Sequence, residues 1–167
     1  MRGETPIKQA GDRPPIVFER SYRAGVEELW ELWTTREGFE SWWYPEGSRA
    51  EVHILEARLD GRLHYDMIAH TPEMIEAMRQ MGLPPSNGIR ARYAEFRPCE
   101  RLTLVHMIDF LPGVRPFEST LTVEFFPSGD RVRMVVTLFQ SHDEEFTQKQ
   151  RLGFTSQLSK LDKRYAS

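Results

Sequence analysis

Apolar and polar positions alternate along residues 16–24, where Ile16, Phe18 and Tyr22 oppose Val17, Glu19, Ser21 and Arg23. This predicts a first strand with one buried face. Gly25 ends it, and Val26, Leu29, Trp30 and Trp33 then recur at helical spacing. Thr35, ahead of Arg36 and Glu37, predicts the cap of a second short helix carrying Phe39, Trp42 and Trp43, which Pro45 and Gly47 break. Residues 52–59 and 62–70 read as two strands joined at Asp60-Gly61, a hairpin signal.

The strand pattern then stops over residues 71–88. Pro72 suits the first turn of a helix, Met74, Met78 and Met81 form one stripe, and Gly82 and Pro84-Pro85 end it. Residues 89–97, 102–110, 119–126 and 132–140 supply four more strands, separated by Pro98, by Pro112-Gly113 and by the turn from Pro127 to Asp130. Residues 143–165 form one long helix, with Phe154, Leu158, Leu161 and Tyr165 on a stripe and Phe146 two turns earlier. Consecutive strands with segregated helices predict an α+β architecture whose curved antiparallel sheet has about seven strands. The long helix must bury its stripe on that sheet, leaving a cavity wherever the two contours diverge. Residues 1–15 read as a loose tail, and residues 16–167 as a single domain with residues 71–88 inserted.

Composition narrows the function. The chain has 167 residues, 40% of them hydrophobic and 28% charged, with 10 Phe, 5 Tyr and 4 Trp, enough apolar material for one core. A net charge of −3 lacks the basic footprint of non-specific nucleic-acid binding. The N-terminus has no apolar signal region, and residues 134–139 fall far short of the roughly 20 apolar residues that span a bilayer. Cys99 is the only cysteine, so no intrachain disulfide can form; a soluble, cytoplasmic protein is expected.

The ordered motifs point to a family. The run from Trp30 to Trp43 with Pro45 and Gly47, then Gly61 with Tyr65, Pro98 with Glu100-Arg101-Leu102, and Gly153-Phe154 with Leu158 and Leu161 resemble the START-like, helix-grip superfamily (SRPBCC). Within it they most resemble the group named for the activator of heat-shock protein 90 ATPase homologue. The resemblance covers residues 16–165; Arg36 stands where the group usually has proline, Leu59-Asp60-Gly61 replaces a P-G-G turn, and Phe154 replaces a final tryptophan. It implies a helix-grip fold, a sheet wrapped around the C-terminal helix, and homodimerisation as a superfamily expectation. The group has no shared catalytic motif, so function must come from the site.

Each candidate has two readings. His64, Asp66 and His70 share a strand parity, but Leu63, Tyr65, Met67 and Ala69 oppose them, which turns the polar set towards solvent. His106 lies on the parity of Leu102, Leu104, Ile108 and Phe110 and is expected to face inward, either as a satisfied core histidine or as a ligand-orienting or acid–base group. Thr147 and Gln150 continue the stripe of the long helix as polar groups, lining a cavity or emerging into water. Trp42 and Trp43 line a pocket or fill the core, as does Trp33, and the methionine stripe forms a lid or ordinary cover. Asp109, Arg115 and Glu118 read as solvated loop charges. His142-Asp143-Glu144-Glu145 lacks the second histidine of H-E-x-x-H, and no G-x-S-x-G, Walker A or G-x-G-x-x-G run occurs.

The expected function is binding of a small hydrophobic or aromatic molecule between sheet and long helix, with Trp42, Trp43, Tyr65, Met67, His106, Phe110, Met134, Phe146, Thr147 and Gln150 as ligand contacts. No metal, cofactor, nucleic acid or membrane is expected as a partner. A cyclase- or aromatase-like enzyme using His106 is the alternative, and a chaperone ATPase activator, which the group's name implies, ranks third.

Overall fold

The structure is a computed structural model that describes residues 14–140 and 144–166. The expected tail therefore lies outside the described residues up to position 13, as do His142 and Asp143. Strand β1 (Ile16–Tyr22) leads into helices α1 (Val26–Thr34) and α2 (Arg36–Glu40). There follow β2 (Ser48–Leu55), β3 (Arg62–Ala69), α3 (Pro72–Gln80), β4 (Ser86–Arg97), β5 (Arg101–Ile108), β6 (Phe117–Ser128), β7 (Arg131–Leu138) and α4 (Glu144–Arg164). The strands form one seven-stranded sheet in the order β1-β7-β6-β5-β4-β3-β2, every neighbouring pair antiparallel. β1 alone pairs out of sequence, beside β7, because α1 and α2 carry the chain across to the opposite edge at β2.

Strand parity sets the core. Leu63, Tyr65, Met67 and Ala69 of β3 and Leu102, Leu104, His106 and Ile108 of β5 are all buried, whereas His64 and Asp66 are half-buried on the other parity. Strands β5, β6 and β7 shift by one or two residues at their ends, so that Phe110 follows β5, and three elements differ more from the sequence reading. Helix α2 stops at Glu40, so Trp42 and Trp43 lie in the turn after it rather than on it. Thr35 caps this short helix by accepting from Gly38 N at 3.0 Å, and a side chain on Gly38 would collide with the Glu31 carbonyl where α2 folds back on α1. Strand β2 begins early and ends at Leu55, because Glu56 folds back to accept from Arg62 N at 2.9 Å and to bind its guanidinium. Finally, β4 begins at Ser86, inside the expected insertion, which leaves α3 as its helical part.

Helix α4 meets the sheet unevenly. Its C-terminal half is clamped to β1: Asp162 accepts from Tyr22 Oη at 2.6 Å and from Arg20 Nε at 3.1 Å, and Phe154 packs on Phe18 with ring centroids 5.2 Å apart. Phe154, Leu158 and Leu161 are buried there. Nearer its N-terminus the helix touches β6 through polar groups, Gln150 Nε2 donating to Ser119 Oγ at 3.1 Å. From Phe146 to Gln157 the helix and the sheet leave space between them.

Candidate functional site

That space is a partly open cavity of about 310 Å3. Its floor is the concave sheet: Tyr65 and Met67 of β3, Ile89 of β4, His106 and Ile108 of β5, Leu121 of β6 and Leu138 of β7. Helix α4 forms the roof with Phe146, Lys149, Gln150, Gly153, Phe154 and Gln157, positions that share one helical face. Trp43, Tyr44 and Pro45 close one side, and α3 closes another with Met74, Ala77 and Met78, followed by Met81 and Leu83. The walls are largely apolar, with a few polar groups placed at specific points, the usual make-up of a small-molecule site.

The polar groups are connected. Trp43 Nε1 donates to Tyr65 Oη at 3.1 Å, and Tyr65 Oη lies 2.8 Å from His106 Nε2. Trp43 stacks on Phe39 with centroids 4.6 Å apart and runs parallel to the His106 ring. Burial lowers the His106 pKa to about 4, so the imidazole is neutral at physiological pH. Burial likewise pushes the Tyr65 and Tyr44 hydroxyls well above the usual phenol range. On the roof, Gln157 Oε1 accepts from Tyr44 N at 3.1 Å, an alignment that depends on the left-handed backbone of Tyr44 (φ 82°). That bond fixes the amide orientation and leaves Gln157 Nε2 buried without a hydrogen-bond partner among the described residues.

Seven of the ten expected contacts line this cavity: Trp43, Tyr65, Met67, His106, Phe110, Phe146 and Gln150. Three do not. Trp42 is fully buried, donates its indole N–H to the Leu32 carbonyl at 2.9 Å and packs edge-on against Trp33, so it serves the core. Met134 is fully buried on β7 opposite Arg20, outside the cavity lining. Thr147 is buried, but the cavity-facing stripe of α4 centres on Gln150, Gly153 and Gln157 and leaves Thr147 at its flank. Gln157 went unnoticed in the sequence although it follows Gln150 by seven residues, a helical interval that was available as a signal. Tyr44 carried no such signal, since its positive φ arises from the turn into Pro45.

The other candidates separate from the cavity. His64 and Asp66 face away from the core, and Asp66 Oδ2 lies 3.0 Å from Nε2 of His53. A β-bulge at His53 brings Glu51, His53 and Asp66 together with ligating atoms within 4.8 Å of one another, a grouping across the edge strand β2 and its neighbour β3 in which His53 is exposed and the two carboxylates are half-buried. Burial and the charges of Arg62 and Arg90 lower the His64 pKa. Asp109 pairs with Arg90 on the surface. No helix among the described residues is long and apolar enough to cross a membrane.

Solved structures share this architecture at low sequence identity. A crystal structure of a Chromobacterium violaceum protein superposes with a TM-score of 0.70 at 18% identity, covering 92% of this chain and 98% of that one. One from Nitrosomonas europaea gives 0.68 at 16%, covering 95% and 96%, and one from Silicibacter pomeroyi gives 0.67 at 20%, covering 91% and 97%. No curated protein matches the sequence. The family model described as activator of Hsp90 ATPase homolog 1-like protein matches residues 23–166. With its seven-stranded sheet gripping the long C-terminal helix, the chain belongs to that family, within the START-like superfamily.

Proposed function

We propose that this protein binds a small hydrophobic or aromatic molecule in the cavity between the sheet and α4. The observation that carries the reading is the combination of a partly open apolar cavity of about 310 Å3 with a buried Trp43–Tyr65–His106 chain in its wall. A cavity of that size suits a bicyclic or short-chain organic molecule, and its few fixed polar groups would orient one. The family's fold is a ligand-binding one, which agrees with this use of the space. Helix α3 is the movable wall in this reading: it contacts the sheet sparsely and presents methionines, whose unbranched side chains adapt to different ligand shapes. A free Cys99 and the absence of any need for a disulfide fit a reducing, cytoplasmic setting.

Native mass spectrometry of the purified protein tests the reading by weighing any retained small molecule, and reports at the same time whether the chain forms the homodimer expected of its superfamily. Titration with the neutral fluorophore N-phenyl-1-naphthylamine provides the second measurement. Saturable binding that is lost in Leu121→Trp, which fills the cavity, supports the proposal; absence of binding, or binding unchanged by that substitution, refutes it. A second reading, an enzyme of the cyclase or aromatase kind, draws on the Tyr65–His106 pair, whose two groups can both carry a proton. It predicts turnover of a bound polyketide-like ligand that His106→Ala abolishes, whereas a pure binding role alters affinity alone.

A further inference from the structure

The hydrogen bonds in the cavity wall define which nitrogen of His106 carries its proton. An indole N–H only donates, so Trp43 Nε1 gives its hydrogen to Tyr65 Oη. Tyr65 is 2% exposed, and a sealed hydroxyl needs an acceptor for its own hydrogen. The Tyr44 hydroxyl also interacts with Tyr65, but His106 Nε2, 2.8 Å away, is the acceptor in full bonding geometry among the described residues. Nε2 is therefore unprotonated, and the neutral imidazole carries its hydrogen on Nδ1.

His106 lines the cavity and is 8% exposed, yet Nδ1 has no hydrogen-bond partner among the described residues. Nor is it sealed in the wall: the enclosed, unpartnered side-chain atoms are Trp33 Nε1 and Gln157 Nε2. Nδ1–H is thus a donor open to the cavity, at the end of a chain running from Trp43 through Tyr65 to His106. Each bond in such a chain polarises the next, which strengthens the terminal donor.

We infer that the ligand of this cavity carries a neutral acceptor oxygen, of the ketone, quinone or amide class, that accepts a hydrogen bond from His106 Nδ1–H. The inference rests on the cavity being a binding site, as proposed above, and adds the chemical class of its occupant. A neutral oxygen is favoured over a carboxylate by charge. Lys149 is the lysine or arginine of the lining and is half-exposed, paired with Glu145 at 2.9 Å, so the apolar interior offers an anion no buried counter-charge.

The matched probes 1-tetralone and tetralin share one bicyclic skeleton and differ in the carbonyl. Isothermal titration of the wild-type protein at neutral pH should show 1-tetralone binding about ten-fold more tightly. In His106→Phe the ratio of the two affinities should fall to about one. Nitrogen-15 spectra of the wild-type protein need no variant: His106 should show the Nδ1-protonated tautomer, with its Nδ1–H resonance moving on addition of 1-tetralone. Equal affinities of wild type for the two probes, or an Nε2-protonated tautomer, would overturn the inference while leaving cavity binding in place. If neither probe binds while N-phenyl-1-naphthylamine does, the inference falls and cavity binding stands; if none of the three binds, both fall.

Discussion

Tyr65 and His106 meet at 2.8 Å across an intervening strand because the residue between them is small. Tyr65 on β3 stands opposite Ile89 of β4, and His106 on β5 stands opposite Ala91 of β4. Ala91 is 6% exposed and has a single methyl group, so the phenol can reach diagonally over β4 to the imidazole. Enlarging this residue should wedge the pair apart. Ala91→Leu is expected to destabilise the fold by about 1–3 kcal/mol through overpacking. Nitrogen-15 spectra would follow the loss of the Tyr65–His106 bond, and urea unfolding would measure the stability.

Removing the phenol oxygen tests the chain itself. Tyr65→Phe keeps the ring but leaves Trp43 Nε1 and His106 Nε2 without their partner, two buried polar atoms at once. A loss of about 1–3 kcal/mol is expected from urea denaturation. A loss within error of zero would mean that the hydroxyl is not the hub of these bonds.

Acid should unfold the protein partly through His106. Its folded-state pKa of about 4 lies below the ordinary value of 6.5, so the unfolded chain takes up a proton more readily. Between those two values stability falls as pH falls, and the penalty is complete below about pH 4. The full effect is about 3 kcal/mol at 1.36 kcal/mol per pH unit. His106→Gln cannot titrate, so its stability curve should be flatter than the wild type's over this window; parallel curves would contradict the assignment.

The adjacent tryptophans should respond differently. Trp42→Phe removes the bond to the Leu32 carbonyl and part of a tightly packed core, and should cost about 1–3 kcal/mol with little change in N-phenyl-1-naphthylamine affinity. Trp43→Phe alters both the cavity wall and the donor to Tyr65, and should weaken probe binding several-fold. Fluorescence titration beside urea unfolding separates the two outcomes.

The cavity depends on where α4 is held down. Asp162→Ala removes the acceptor of the buried Tyr22 hydroxyl and the partner of Arg20, with an expected cost of about 1–3 kcal/mol. Most of it comes from Tyr22, because Arg20 and Asp162 are partly exposed and solvent screens their charges. Hydrogen exchange should show the C-terminal half of α4 losing protection first.

Much of the fold was legible because its signals are local. Period-two alternation in β3 and β5 placed Tyr65, Met67 and His106 on the inner face. Helical spacing placed Phe146, Gln150 and Phe154 on the face of α4 that covers them. The cap residue Thr35, which accepts from Gly38 N, and Pro72 in a first turn marked the starts of α2 and α3. Less legible were the positions where an inward residue meets core rather than space. Trp42 and Trp43 are neighbours of identical chemistry, and the turn after α2 sends one indole to Leu32 and the other to Tyr65.

Periodicity along the chain thus determined the elements and their buried faces, since each depends on residues within a few positions of one another, while the ordered motifs carried the family resemblance. The cavity, the Trp43–Tyr65–His106 chain and the amide held by Tyr44 depend on how far α4 stands from the sheet. That separation is set by contacts such as Tyr22–Asp162, which joins residues 140 positions apart. No local pattern encodes such a distance, because it emerges only when the clamp, the bulky Trp43 and the small Ala91 are packed together.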